Sequence, residues 1–290
     1  MRGASLAVAL VAAVPVLADQ TGHTELAALL ERAGKQVERY FARAQSLICR
    51  EVVRLQPLSA GWSSDGLGRT VESELRLAWT PSLDGAAATE AQTVRELIRV
   101  NGHKPRNNDW KNCTTPEQQS TETQPLSLLL PVERSKHRFA LAGKARIDGR
   151  DAILVDFWRL AKASVEASMV EGRDDCVSFD VDGGMRGRLW LDAETDEVLR
   201  LDQSLNGMVE IQLPRQAARY QSPPYWTLER WDISIQFKRM SFTNPDETLV
   251  LPASMSSIQV TRGAGTPRLR TMTEYVEYKR FLTGGRIVGQ

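Results

Sequence analysis

The sequence predicts an α+β protein, a large antiparallel sheet of about ten strands packed on an N-terminal helix. Three observations predict it. One segment near the N-terminus repeats apolar residues at helical spacing, the apolar residues alternate at period two from Ile48 onward, and short turns rather than helices join the alternating runs. Strands without intervening helices pair antiparallel, and a twisted sheet of this size curls to leave one concave apolar face.

The helix is expected over Thr24–Gln45. Leu26, Leu29, Leu30, Ala33, Val37, Tyr40, Phe41 and Ala44 form one stripe, Thr24 is the N-cap, and Glu31, Arg32, Lys35, Glu38 and Arg39 take the other side. Such a stripe must lie against something apolar, most simply a sheet face. Ile48–Leu55 is the first strand. Val71, Ser73, Leu75, Leu77 and Trp79 then alternate with Glu72, Glu74, Arg76 and Ala78, and Thr93–Val100 returns the chain to the turn pair Asn101-Gly102. Lys104–Thr123 is polar and reads as a long loop. PLSLLLP, Pro125–Pro131, is a short apolar plug between prolines, a helical turn packed on the core rather than a strand.

Phe139–Ile147 and Ala152–Leu160 form a hairpin through Asp148-Gly149. Gly172–Gly184 is acidic and glycine-containing and reads as a loop. The stretch around which the sheet is organised is Gly187–Asp202, GRLWLDAETDEVLRLD. Leu189 and Leu191 alternate with Trp190, a polar turn begins at Asp192, and Val198, Leu199 and Leu201 resume the apolar pattern. Leu205–Leu213, the alternating Trp231, Ile233, Ile235 and Phe237, and the pair Leu249–Arg262 and Arg268–Phe281 complete the sheet. Residues 19–283 are expected to form a single domain, with 284–290 a flexible tail.

Lys and Arg number 37 against 36 Asp and Glu in 290 residues, so no basic excess argues for nucleic acid and no polybasic run for an anionic membrane surface. Met1–Ala18 has the pattern of a secretory signal peptide: Arg2 as positive start, Ala4–Val14 as apolar stretch, and small residues before Asp19. The apolar run is shorter than the roughly 20 residues a bilayer requires. The mature protein is therefore expected in the periplasm or secreted, with no transmembrane segment. In an oxidising compartment the three cysteines allow one internal pair. Cys113 and Cys176 sit in polar, loop-like surroundings and Cys49 in an apolar run, so Cys113–Cys176 is the expected disulfide.

Catalytic and metal motifs are missing from the sequence. No HExxH, GxSxG, Walker-type loop or strand-linked GxGxxG occurs, and Gly263-Ala264-Gly265 reads as a hairpin loop. Ser178, Asp180, Asp182 and Gly183 fall at the first, third, fifth and sixth places of an EF-hand loop, but Leu189 stands where its bidentate Glu belongs and a strand follows where a helix should. The seven tryptophans raise a carbohydrate platform; four of them (Trp79, Trp158, Trp190, Trp231) lie in alternating strands, where packing is the default. The expectation is a non-enzyme with no cofactor and no metal.

The helix after a signal peptide, the PLSLLLP plug, the Phe139–Ile147 strand with Asp148-Gly149-Arg150 and the GRLWLD…TDEVLRLD hairpin together resemble the LolA/LolB-like lipoprotein-carrier superfamily, in its uncharacterised secreted bacterial branch. Trp190-Leu191-Asp192 and Thr195–Leu199 match its W-[LV]-D-x-x-T-G-x-[PV]-x-R hairpin, with Asp196 and Glu197 where glycine and its neighbour are usual. Tyr275–Phe281 resembles the closing strand of those relatives. The resemblance implies a half-barrel wrapped around helices, with an apolar cavity that holds acyl chains in characterised members. The arginine that lipoprotein carriers use has no counterpart that can be placed here, so lipoprotein transport is not carried over.

Two functions follow as expectations. One is a carrier or sensor for a lipid or acyl chain, with Leu126, Leu128, Leu129 and Leu130 of the plug as ligand-binding residues at the cavity mouth. The other is a non-catalytic structural or interaction module with an envelope protein partner and a self-filled cavity. A cavity of about 300–1,000 Å³ favours the first, and a sheet face covered by its own helix the second. Processing is directly testable: Edman or intact-mass analysis of exported protein is expected to show a chain starting at Asp19, and a stable mass retaining Met1 would reopen the membrane-anchor reading.

Overall fold

A computed structural model describes residues 18–43, 47–79, 91–106, 109, 126–170, 176–219, 221–243 and 246–280. Helix α1 runs over Ala18–Arg43, starting ahead of the expected Thr24. The strands are β1 (Leu47–Pro57), β2 (Arg69–Trp79), β3 (Ala91–Val100), β4 (His137–Ile147), β5 (Arg150–Arg159), β6 (Ser164–Met169), β7 (Val177–Asp182), β8 (Met185–Asp192), β9 (Val198–Leu205), β10 (Val209–Gln212), β11 (Tyr225–Thr243), β12 (Asp246–Arg262) and β13 (Arg268–Arg280).

Among the described residues, eleven strands form one open sheet in the order β3-β2-β1-β13-β12-β11-β9-β8-β5-β4, and β10 joins it through β11. Every pairing in it is antiparallel. This is the expected half-barrel. Its first and last strands pair mid-sheet, because β13 inserts between β1 and β12. Local turn chemistry sets the hairpins. Between β4 and β5, Asp148 (φ 49°) and Gly149 (φ 80°) both take left-handed conformations, as a two-residue turn matched to strand twist requires. Strands β11 and β12 reach 19 and 17 residues and accommodate that length with register shifts, between Leu228 and Arg230 and between Gln236 and Phe237.

The acidic segment expected as a loop is in part a strand. Val177–Asp182 pairs with Ser164–Met169 as a separate two-stranded sheet. Val165, Phe179 and Val181 pack with Leu205, Ile211, Leu228 and Trp226 as a second, smaller core, which leaves Asp180 and Asp182 at outward positions. Most of Lys104–Thr123, the Met1–Ala18 segment up to residue 17, and residues 281–290 lie outside the described residues.

Toward the β1–β3 edge the inner face carries a buried ion pair. Glu51 of β1 is 1% exposed and accepts from Arg95 of β3 at 2.8 and 3.3 Å. Ser73 of β2 lies opposite Glu51 in register, while Arg95 lies opposite Leu75, so the pair spans β2 diagonally. Removing one partner of such a pair costs about 3–5 kcal/mol, because the other charge is left buried alone. Cys49 is free and buried beside it; burial, aided by the Glu51 charge, pushes its thiol up to about 12, so it stays a protonated, unreactive thiol.

Cys176 is buried, and Cys113 lies outside the described residues. We propose the Cys113–Cys176 bridge on the sequence argument above. Non-reducing peptide mapping is expected to recover that linkage with Cys49 unmodified, and its loss is expected to destabilise the protein by about 4 kcal/mol on loop-closure entropy. A Cys49 linkage would show the pair to be wrongly assigned.

Candidate functional site

The stripe on α1 does what its spacing dictates. Leu26, Leu29, Leu30, Ala33, Val37 and Phe41 are all buried, against Val155 and Phe157 of β5, Leu189 and Leu191 of β8, Val198 and Leu201 of β9, Ile233, Ile235 and Phe237 of β11, and Leu249 and Leu251 of β12. The inner face of the half-barrel is thus covered by its own helix.

The plug completes the cover. Ser127–Leu129 forms a single 3-10 turn, closed by Leu129 N–H to Leu126 O (3.1 Å) and Leu130 N–H to Ser127 O (2.8 Å). Pro131 then starts the four-residue helix α2 (Pro131–Arg134), where its missing N–H costs nothing. Leu126, Leu128, Leu129 and Leu130 are 5%, 7%, 0% and 5% exposed and belong to the same core as α1. The plug is therefore the helical turn the prolines predict. It touches the helix backbone to backbone: a Cβ on Gly34 would stand 2.8 Å from the Leu129 carbonyl oxygen, so only glycine fits there. A second tie comes from Arg134, whose Nη1 donates to the Leu30 carbonyl at 3.0 Å.

A gap of about 170 Å³ remains between helix and sheet, lined by Val37, Tyr40, Leu126, Val198, Leu249 and Val250 with Gln36, Arg39 and Glu197 at its rim. That is below the roughly 300 Å³ of a typical small-molecule pocket. The leucines assigned to ligand binding are brought together, with Leu126 on this gap and the other three packed into the cover.

The β8–β9 turn holds the cover in place. Asp192 is 3% exposed, and its Oδ1 accepts from the N–H of Glu194 (3.1 Å), the N–H of Thr195 (2.8 Å) and the Thr195 hydroxyl (3.0 Å). Arg150 approaches its Oδ2 at 2.8 Å. Asp196 takes φ 58°, the left-handed conformation for which the resembled motif uses glycine, and turns its carboxylate to Arg32 of α1 at 2.8 and 3.1 Å. Gln36, one helical turn further on, donates to the Thr195 carbonyl at 2.9 Å. Glu197 accepts from Arg239 at 2.8 and 2.6 Å. The Arg32 side chain is 54% exposed, so its pair contributes at most about 1 kcal/mol.

No protein-family model matches this chain, and no curated protein does. Among solved structures it is similar to an outer membrane lipoprotein-sorting protein domain from Vibrio parahaemolyticus, at 15% identity and TM-score 0.39, covering 88% of this chain and 92% of that one. A DUF1329 family protein from Desulfovibrio piger aligns at 10% identity and TM-score 0.41, over 89% and 93% of the two chains. A LolA superfamily protein from Nitrosomonas europaea aligns at 7% identity and TM-score 0.34, over 90% and 97%.

Among the described residues, no group of three or more His, Cys, Asp or Glu side chains is placed to hold a metal ion, and no helix is long and apolar enough to cross a membrane. Asp180 and Asp182, at EF-hand places in the sequence, stand on β7, where Asp182 pairs with Arg159 at 2.8 Å. Sequence reasoning missed Gly34. Its signal was a glycine inside an otherwise strong helix, where about 1 kcal/mol is lost relative to alanine unless a close contact requires it.

Asp192 carries a pH dependence. Burial raises its carboxyl, but the Thr195 N–H and hydroxyl, the Glu194 N–H and Arg150 outweigh burial and hold it below the ordinary aspartate value. A carboxyl depressed in the folded state stabilises above its unfolded value and loses that contribution as pH falls through the folded one. The melting temperature is therefore expected to fall below about pH 4, and Asp192→Asn to flatten this acid slope while costing about 1–2 kcal/mol at neutral pH. An unchanged slope in thermal melts across this range would count against the assignment.

Proposed function

We propose that the protein is an exported carrier or sensor that binds an apolar ligand, such as an acyl chain, on the helix-covered face of its half-barrel, with the PLSLLLP plug as the movable part of the cover. The observation that carries this reading is the construction of the cover. The plug is a single short turn, separate from α1 in sequence, and meets it through the side-chain-free contact at Gly34 and the Arg134 tie. Displacing it would expose the inner leucines of β8 and β9 without breaking any strand pairing. At about 25 cal/mol per Å², even a partly enclosed acyl chain would recover much of the apolar burial that the plug gives up. A compartment outside the cytoplasm, read from the signal-peptide pattern, is part of the same proposal.

The helix-covered face and the small gap both support the second reading, an envelope interaction module whose cavity is filled by its own helix and leucines. Uptake of a fluorescent fatty acid separates the two. The wild type is expected to take up the probe. Gly34→Ala, which drives a methyl group into the Leu129 carbonyl, and Arg134→Ala, which cuts the tie, are expected to speed uptake several-fold with circular dichroism unchanged. No uptake by any of the three proteins, together with no co-purifying lipid, would sink the carrier reading and leave the interaction module.

A further inference from the structure

The face of the main sheet turned away from α1 holds a hollow of about 630 Å³ across β5, β8, β9, β11 and β12. This lies inside the roughly 300–1,000 Å³ range of small-molecule sites, which the gap under the helix does not reach. Strand alternation puts its lining opposite the core: Trp158, Trp190 and Arg200 alternate with Phe157, Leu189, Leu191 and Leu201. The hollow exists because the middle of this face is built from short side chains. Ser204, Ser234 and Ser256 bring hydroxyls but little bulk. Beneath it, Gly187 lets the Phe157 ring lie directly against the backbone of β8.

Two tryptophans stand on this solvent-facing side, and neither belongs to an apolar core cluster. Trp158 is 36% exposed and lies opposite Arg186 in register. Trp190 follows on the strand of Arg186, with the Arg200 guanidinium 4.8 Å from its ring centroid. Between the two indoles, Arg188 grips Asp156 at 2.5 and 3.0 Å. Arg200 pairs with Asp202 at 2.8 Å, and Asp232 pairs with Arg230 at 2.5 Å. These charges cancel in pairs and fix their own positions, and among the described residues Arg186 is in no ion pair.

We infer that this hollow binds a short neutral oligosaccharide. The exposed Trp158 indole suits the C–H face of a sugar ring, while serine hydroxyls, paired carboxylates and Arg186 supply acceptors and donors at the ring edges. Opposed charges held in ion pairs are already ordered, so little side-chain freedom is lost on binding. An acyl chain is disfavoured here, because it would strip water from these polar groups and return no hydrogen bonds. The site is separate from the lipid-binding reading and shares no residue with the cover.

Titration of the full chain with maltopentaose, cellopentaose and chitopentaose, followed by tryptophan fluorescence and calorimetry, tests the inference. At least one of the three is expected to bind saturably in the millimolar range or tighter. Trp158→Ala and Arg186→Ala, both at exposed positions, are expected to weaken it tenfold or more with the melting temperature unchanged. Gly34→Ala, on the opposite face, is expected to leave sugar affinity as it is. Absence of saturable binding for all three sugars overturns the inference, as does undiminished binding by Trp158→Ala. Loss of fatty-acid uptake in Trp158→Ala with no sugar binding would instead assign the hollow to the lipid.

Discussion

One constraint governs this molecule: the apolar face of an open, curled sheet has to be covered, and the chain covers it with two of its own pieces. Each leucine or phenylalanine of the inner face that passes from water to the interior contributes about 1.5–3 kcal/mol. Leu189, Leu191, Leu201, Ile233, Ile235 and Phe237 are buried only because α1 and the plug lie over them. The helix supplies a long stripe, and the plug fills the space beside it with leucines on a single turn. Polar contacts contribute less energy than this burial, but they set where each piece sits: Thr195 and Asp196 against α1, and Arg134 against Leu30.

Two positions set local preference against tertiary need. Gly34 lies inside a helix, where glycine is unfavourable, and the contact with the Leu129 carbonyl explains it. Asp196 occupies a left-handed conformation that glycine would adopt without strain, and its carboxylate gives the turn a grip on Arg32 that glycine lacks. In both places the local cost, of order 1 kcal/mol, is offset by a contact between segments far apart in sequence. Both contacts secure the cover, so a sheet that would otherwise keep an open apolar cavity is largely filled.

Period-two alternation also gives this sheet two separate chemistries. Inward positions are dry and aliphatic, while the outward positions of β5, β8 and β9 carry arginine–aspartate pairs and two tryptophans. Trp190 shows the division within one strand, since its neighbours Leu189 and Leu191 are fully buried and it faces out beneath Arg200. A sheet that buries one face and wets the other can hold an apolar site and a polar one on its opposite faces.

Much of this was legible in the sequence, because strands, helices and turns follow from near-neighbour physics. The α1 stripe, the Asp148-Gly149 turn, the polar turn after Asp192 and the proline-bounded plug each depend on a few adjacent residues, and each formed as read. The β6–β7 hairpin was not read, because aspartates at its outward positions look like a loop until Phe179 and Val181 find a core to face. Strand order, the insertion of β13 beside β1, the reach of Arg95 across β2 to Glu51 and the outward hollow all join residues far apart in sequence. The sequence by itself determined which residues alternate and where the chain turns. Only the tertiary structure decided that the inner cavity is nearly filled and the outer face hollowed, because volume depends on how side chains from several strands and the helix meet in space.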